Sequence, residues 1–428
     1  MSDRLPHGWK VEPLRNIAQV VSGGTPSRYA PEFWDQGTIP WVTPTDITGS
    51  NGRYLSETRE HITELGLHSC SAKLLPSGSL LMTSRATLGE VRIAAGEVCT
   101  NQGFKSLIPL KGVDGQFLFY QIGLNKERYK GLGIGSTFLE VNKRDTERFE
   151  VLVAPEREQR RIAEILSTLD EAIEQTEALI AKHQQIKAGL MHDLFTRGVT
   201  PDGHLRPTRE QAPDLYKESP LGWIPKEWAV VSLDEHVRII DCKHYTPEFQ
   251  TEGYAFVRPR NVKVGGLEWE SVDYVSAEDF RLLTDVYEPK RGDIVFSRNA
   301  SFGVPCYVDT DVQFAIGQDV VIMTKKGSET RFVFYALTTP ITAEQIAKVS
   351  AGSTFGRINL GEIRKLLISR PDEEEQRRIT DRLVTCDVLM QNLKIDLAKL
   401  HQKKHGLMHD LLTGRVRVKP TETEPAHV

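Results

Sequence analysis

Two glycine-bounded stretches carry planar hydrogen-bonding groups: Arg85 lies between Gly78 and Gly89, and Arg298 with Asn299 lies between Gly292 and Gly303. A guanidinium is a rigid fork of donors, and a carboxamide pairs a donor with an acceptor. Both suit recognition of a flat polar edge better than they suit bond breaking. Thr43, Arg258, Arg260, Gln102 and Gln318 stand beside other motifs that recur in the chain. Ser136, Thr137, Ser353 and Thr354 add hydroxyls in two identical Gly-Ser-Thr-Phe loops.

Residues with catalytic potential do not assemble into a known pattern. Gly131-x-Gly133-x-Gly135 fails the GxGxxG spacing, and no GxxxxGK[ST] phosphate loop occurs. The Asp/Asn-Pro-Pro-aromatic signature of amino-methyltransferases is missing, as are GxSxG and HExxH. Glu288-Pro289-Lys290 has nuclease-like letters but stands where a turn precedes a strand. Cys242 and His244 have no second ligand pair nearby. The five cysteines, Cys70, Cys99, Cys242, Cys306 and Cys386, are scattered without a CxxC pair, as expected for a reducing cytosol. The expectation is a chain with no catalytic residues, no metal and no cofactor of its own.

Bulk properties narrow the class further. At 428 residues, with 39% hydrophobic and 26% charged residues, the chain has ordinary globular composition and room for two or three domains. No apolar run approaches the ~20 residues that span a bilayer, and the N-terminus lacks a signal-peptide core. A cytoplasmic protein without a membrane role is expected. The net charge of −4 does not advertise a polyanion partner, although local field rather than total charge governs such binding.

What must position the polar residues is a repeat. Gly135-Ser136-Thr137-Phe138 returns as Gly352-Ser353-Thr354-Phe355, and Glu158-Gln159-Arg160-Arg161-Ile162 as Glu375-Gln376-Arg377-Arg378-Ile379. Gly189-Leu190-Met191-His192-Asp193-Leu194 returns as Gly406-Leu407-Met408-His409-Asp410-Leu411, and all three share the offset 217. Upstream the match loosens. Leu5-Pro6-x-x-Trp9 parallels Ile224-Pro225-x-x-Trp228, and Pro40-Trp41-Val42-x-Pro44 parallels Ala255-Phe256-Val257-x-Pro259. Residues 50–75 and 263–287 show no convincing match.

The repeated tails read as long helices. A stepping of four and three, mostly apolar, runs along Ile162, Leu166, Leu169, Ile173, Thr176, Ile180, His183, Lys187, Leu190 and Leu194. The same stepping runs along Ile379, Leu383, Cys386, Met390, Leu393, Leu397, Leu400, Lys404, Leu407 and Leu411. This is a coiled-coil seam, interrupted at equivalent places by Lys187 and Lys404, which are expected to snorkel or set register. Pro155 and Pro371 mark the starts, and Gly198 and Gly414 the stops. Each tail of about 40 residues would extend ~60 Å. The predicted organisation is a first domain (1–154), a helix (155–198), a linker (199–222), a second domain (223–370), a second helix (371–414) and a tail (415–428). Short β-like runs at 79–82, 293–296 and 320–323, with helices over 117–130 and 332–348, make each domain α+β.

These repeats, in this order, resemble the specificity subunits of type I restriction-modification systems, over residues 5 to about 418. The resemblance implies two target-recognition domains in pseudo-twofold tandem, each reading half of a bipartite, asymmetric site on double-stranded DNA. It implies that the two helices pair as an antiparallel coiled coil. It also implies docking of two methyltransferase subunits, and through them motor-nuclease subunits, in defence against foreign DNA. S-adenosylmethionine, ATP and Mg are then expected on those partners. Within that frame arginine suits guanine and asparagine suits adenine, so Arg85, Arg298 and Asn299 are candidate base readers. Ser136, Thr137, Ser353 and Thr354 could meet phosphates. A coiled-coil adaptor with duplicated modules and no DNA role is the first rival reading, and a stand-alone nuclease or methyltransferase with an unrecognised site is the second.

Overall fold

A computed structural model describes residues 5–85, 87–134, 139–299, 303–351 and 358–419. The chain divides into two compact units, Met1–Ile180 with Leu393–Val428, and Ala181–Asn392. The two long helices, Glu156–Thr196 and Glu373–Leu412, each contribute one end to each unit. Both begin at the proline-marked starts, and Gly198 and Gly414 follow them with positive φ of 69° and 72°. Such φ values favour glycine at a helix stop.

Within each unit the helix ends run antiparallel. In the first, Ile162, Ala163 and Leu166 near one helix start pack with Leu411 and Leu412 at the other helix end. In the second, Leu194 and Phe195 pack with Ile379 and Leu383. Most of these side chains are fully buried, each contributing roughly 1.5–3 kcal/mol of burial. The middle seam positions Ile180, Met390, Leu393, Leu397 and Leu400 are only half-buried, as on a two-stranded seam with no domain against it, whereas half-buried Leu190 packs on the second unit's core.

The two recognition-like folds share most of their strands. Ala18–Ser22 and Val237–Asp241 share one burial pattern, with a single exposed polar residue, Gln19 or Arg238. Each lies at the edge of a sheet that is antiparallel except where, in the first unit, Tyr54–Leu55 pairs parallel with Val91–Ala94. In the first unit the order is Ala18–Ser22, Lys105–Pro109, Leu80–Met82, Val91–Ala94 and Tyr54–Leu55. In the second it is Val237–Asp241, Val320–Lys325, Ile294–Ser297 and Pro305–Tyr307. Leu80–Met82 and Ile294–Ser297 are buried along their whole length, which explains their unbroken apolar runs. A smaller three-stranded sheet accompanies each: Glu60–Ile62, Ile39–Val42 and Cys99–Thr100, and Asp273–Val275, Tyr254–Val257 and Phe314–Ile316.

Each helix expected at 117–130 and 332–348 is a consecutive pair: Gly115–Leu124 with Lys126–Lys130, and Thr330–Leu337 with Pro340–Ala351. Pro340 opens the last of these, because proline suits a first helical turn but not an interior. The stretch expected as a linker is folded: Tyr216–Ser219 pairs with Gly222–Pro225, and Val199, Arg206 and Tyr216 are buried.

Candidate nucleic-acid interface

The buried framework beneath the surface is the same in both units. Thr43 heads the helix Pro44–Gly49, its backbone N–H donating to buried Asp46 Oδ2 at 2.7 Å. Arg258 occupies the equivalent position, its N–H donating to fully buried Asn261 Oδ1 at 3.0 Å. The shared turn carries unlike side chains: in one unit half-buried Thr43, whose hydroxyl donates to Asp46 Oδ2 at 2.6 Å, and exposed Thr45, and in the other half-buried Arg258 and exposed Arg260.

In the second unit the nominated residues converge. Arg258, Arg260, Asn299 and Gln318 line one open cleft of about 360 Å³ with Tyr245, Thr246 and Phe249. Arg258 and Arg260 both donate to Asp273, at 3.1 Å and 2.8 Å. Asn299 Nδ2 donates to Asp319 Oδ2 at 3.2 Å. The exposed rings of Tyr245 and Phe249 supply apolar faces beside the donors. Cations interleaved with aromatic and carboxamide groups can contact phosphates, base edges and base faces.

Arg298 does not join that surface. It is 5% exposed, and its guanidinium donates to Asp241 Oδ1 at 2.9 Å and to the Ile358 carbonyl at 3.1 Å. Burial with those bonds committed makes it a strut beneath the cleft, a correction to its nomination as a base reader. Its counterpart Arg85 is half-buried and pairs with Glu140 at 2.9 Å, and Lys105 approaches the same carboxylate at 3.5 Å.

In the first unit Arg85 and Pro44, the neighbour of Thr43, approach Gly103, the neighbour of Gln102. A Cβ there would stand 3.4 Å from Pro44 and 3.9 Å from Arg85 Cβ. An open cleft of about 400 Å³ runs past the same turn, lined by Thr45, Asn51, Tyr54 and Arg59, and holds none of the nominated residues. Ser136, Thr137, Ser353 and Thr354 lie outside the described residues.

One duplicated contact was missed in the sequence. The Thr25 hydroxyl donates to Gln102 Oε1, and Gln318 Nε2 donates to the Thr246 hydroxyl at 3.4 Å. The Thr-Pro pairs at 25–26 and 246–247 were the available signal, obscured because their offset differs from 217. The helix starts hide a second duplication. Buried Glu158 accepts from Trp9 Nε1 at 3.2 Å and from Arg417, while buried Glu375 accepts from Trp228 Nε1 at 2.9 Å and from Arg206.

The seam lysines are paired rather than snorkelling. Lys404 meets Asp170 at 2.5 Å, and that carboxylate also accepts from Tyr120 at 2.6 Å. Lys187 meets Asp387 at 2.5 Å, which accepts from Tyr335 at 2.7 Å. Burial, then the aspartate bond, raises the ionisation range of both tyrosines. They therefore stay neutral donors that tie each domain to its helices. Among the described residues no cluster of three or more His, Cys, Asp or Glu side chains could hold a metal, and no helix is long and apolar enough to cross a membrane.

Two copies of one α+β domain, each with paired long helices, define a duplicated recognition protein. The family described as the type I restriction modification DNA specificity domain matches residues 6–184 and 225–399, and the chain belongs to that family. It is 27% identical over 427 residues to the type I restriction enzyme MjaIX specificity subunit of Methanocaldococcus jannaschii, covering 97% of this chain and 95% of that one. It is 30% identical over 173 residues to the EcoR124I/EcoR124II specificity subunit of Escherichia coli, covering 38% and 40%. In fold it resembles the type I restriction-modification S subunit from M. genitalium, with a TM-score of 0.61 at 15% identity over 96% of this chain and 97% of that one.

Proposed function

We propose that this chain is the DNA-reading, non-catalytic subunit of a type I restriction-modification complex, each unit recognising one half of a bipartite, asymmetric target. One observation carries the reading: a single buried framework occurs twice and presents different polar side chains at the same turn. Shared scaffolding with Thr43 and Thr45 in one copy and Arg258 and Arg260 in the other suits two related but unlike half-sites.

The paired helices would dock two methyltransferase subunits, which supply S-adenosylmethionine and transfer the methyl group to adenine. Motor-nuclease subunits with ATP and Mg would join through them, in the cytoplasm. This chain's own part is to bind and orient the duplex. In the second unit the cleft of Arg258, Arg260, Asn299 and Gln318 takes base edges, with Tyr245 and Phe249 against apolar groups such as thymine methyls. In the first, Thr43, Arg85 and Gln102 form the corresponding surface.

Mapping methylated adenines in the host genome, with and without this gene, tests the reading. The expected result is one split motif that vanishes with the gene. An unchanged adenine map would refute it and favour an adaptor without a DNA role.

A further inference from the structure

Residues 50–75 and 263–287 share no recognisable sequence, yet they place one device at one position in each unit. Glu60 begins the strand Glu60–Ile62 directly opposite Trp41, and Asp273 begins Asp273–Val275 directly opposite Phe256. Each strand then enters a hydroxyl-capped helix. Thr63 accepts from the Gly66 N–H at 3.0 Å, and Ser276 from the Asp279 N–H at 3.0 Å.

Each acid grips an arginine that lies against an aromatic ring. Glu60 accepts both arms of the Arg28 fork, one of them at 2.9 Å, and Arg28 lies 3.8 Å from the Trp34 ring centre and 4.8 Å from that of Trp41. Asp273 accepts from Arg258 and Arg260, and Arg258 lies 5.6 Å from the ring centre of Phe249. The side chains of Arg28, Arg258 and Arg260 are 49%, 42% and 49% exposed. Beside Arg28 stands Tyr29, 98% exposed.

Ion pairs this exposed add little to stability. What they do is remove rotamer freedom: carboxylate and ring hold the guanidinium groups of Arg28 and Arg258, while Asp273 and the Ser271 carbonyl hold that of Arg260. The end-on pair with Glu60 occupies two of the five donors of Arg28, leaving the edge that includes Nε–H open to a bidentate acceptor. An acid on a DNA-facing surface also repels phosphate. Lower general affinity with fixed donor geometry is the combination that favours specific over non-specific binding.

Resting on the reading of this chain as a DNA-binding subunit, we propose that Arg28 in the first unit and Arg258 with Arg260 in the second are specificity-determining, each reading a base edge in its own half-site. Glu60 and Asp273 are the positioning residues that hold those forks in reading orientation.

The test uses the full chain assembled with its methyltransferase subunits and a pool of randomised duplexes, with retained duplexes sequenced. The native complex selects a two-part motif. Asp273→Asn flattens preference at one or two positions of one half by roughly 5- to 150-fold, the range for losing a bidentate base contact, and spares the other half. Glu60→Gln does the same to the other half. Retention of the unselected pool is undiminished, and its logarithmic salt dependence steepens by about one unit, because a cation formerly paired with an acid now meets phosphate. Asp273→Glu restores part of the preference.

Native motifs from both variants would overturn the proposal, as would loss in both halves at once or an even loss across all sequences. Should an acid variant melt early, Arg28→Lys and Arg258→Lys keep the charge and remove the fork. Each must then blunt one half alone, and a native motif from both overturns the proposal. Selection of no motif by the native complex would refute the DNA-reading function itself and this proposal with it, whereas a native motif with insensitive variants refutes only the proposal.

Discussion

Glu375→Ala should be among the most damaging single changes in this chain, and far more damaging than the same change at its twin, Glu158. The Glu375 side chain is 2% exposed. It accepts from the Val199 N–H at 2.7 Å, Trp228 Nε1 at 2.9 Å and Arg206 Nη2 at 3.0 Å, with Arg206 Nη1 on its other oxygen. Truncation strands the Arg206 guanidinium, whose side chain is 10% exposed, with the Arg197 carbonyl at 3.1 Å and a distant Glu227 at 3.8 Å. Breaking a buried pair from one side costs about 3–5 kcal/mol. For a unit of this size that is roughly 6–20 °C in melting temperature. Glu158 has the same Trp and Arg partners, but the Arg417 side chain is 43% exposed and stays hydrated when abandoned, so its loss costs less. Replacing both members, Arg206→Met with Glu375→Leu, should recover much of the loss, because no charge is left buried. Urea denaturation followed by tryptophan fluorescence reads all of these. Equal losses for Glu375→Ala and Glu158→Ala, or less than ~1 kcal/mol for the former, would refute the reasoning.

Two further outcomes are expected. His236 is fully buried, with Nδ1 2.8 Å from the Ser328 hydroxyl, and desolvation lowers its pKa to about 4. The unfolded chain therefore binds a proton more readily than the folded one below about pH 6.5, and stability falls as pH drops from there toward 4. The loss attributable to this residue is about 2 kcal/mol by pH 5. The stability difference between native and His236→Gln protein should narrow by that amount between pH 7 and pH 5, and a constant difference would contradict the assignment. Cys99 and Cys306 are fully buried, and burial pushes both thiols up to about 12. Cys70 and Cys386 are half-buried, so a disulfide reagent on native protein should titrate those two well before Cys99 and Cys306. Early labelling of the buried pair would disprove this.

The long helices and the duplicated architecture were legible because seam periodicity and cap residues are local signals. Ile162, Leu166, Ile379 and Leu383 are buried because heptad spacing decides which face is apolar, whatever packs on it. The site was only partly legible. Arg258, Arg260, Asn299 and Gln318 were found because conserved neighbours in the repeat flag them, and they share a cleft. Arg298 misled, since one guanidinium serves equally as a reader or as a buried strut, and the choice rests on Asp241, 57 positions away. Arg28, Glu60 and Asp273 were invisible because cross-strand register, not sequence identity, aligns them.

The helix clamps explain why a linear repeat undersells this molecule. Arg206 follows the first long helix, yet it closes on Glu375 at the start of the second. Arg417 follows the second helix and closes on Glu158 at the start of the first. The repeat is therefore circular: the tail after each helix completes the clamp at the head of the other. An alignment at offset 217 pairs Glu158 with Glu375 but cannot pair Arg417 with Arg206, since the segments carrying them have unlike lengths and sequences. Each unit consequently needs covalently distant parts of the chain. Its domain, one helix head, the other helix end and the arginine beyond that end must all be present before the buried carboxylate is satisfied. A chain cut after residue 392 should therefore leave Glu158 without its arginine while sparing the whole Glu375 clamp, and the first unit should be the one that loses stability.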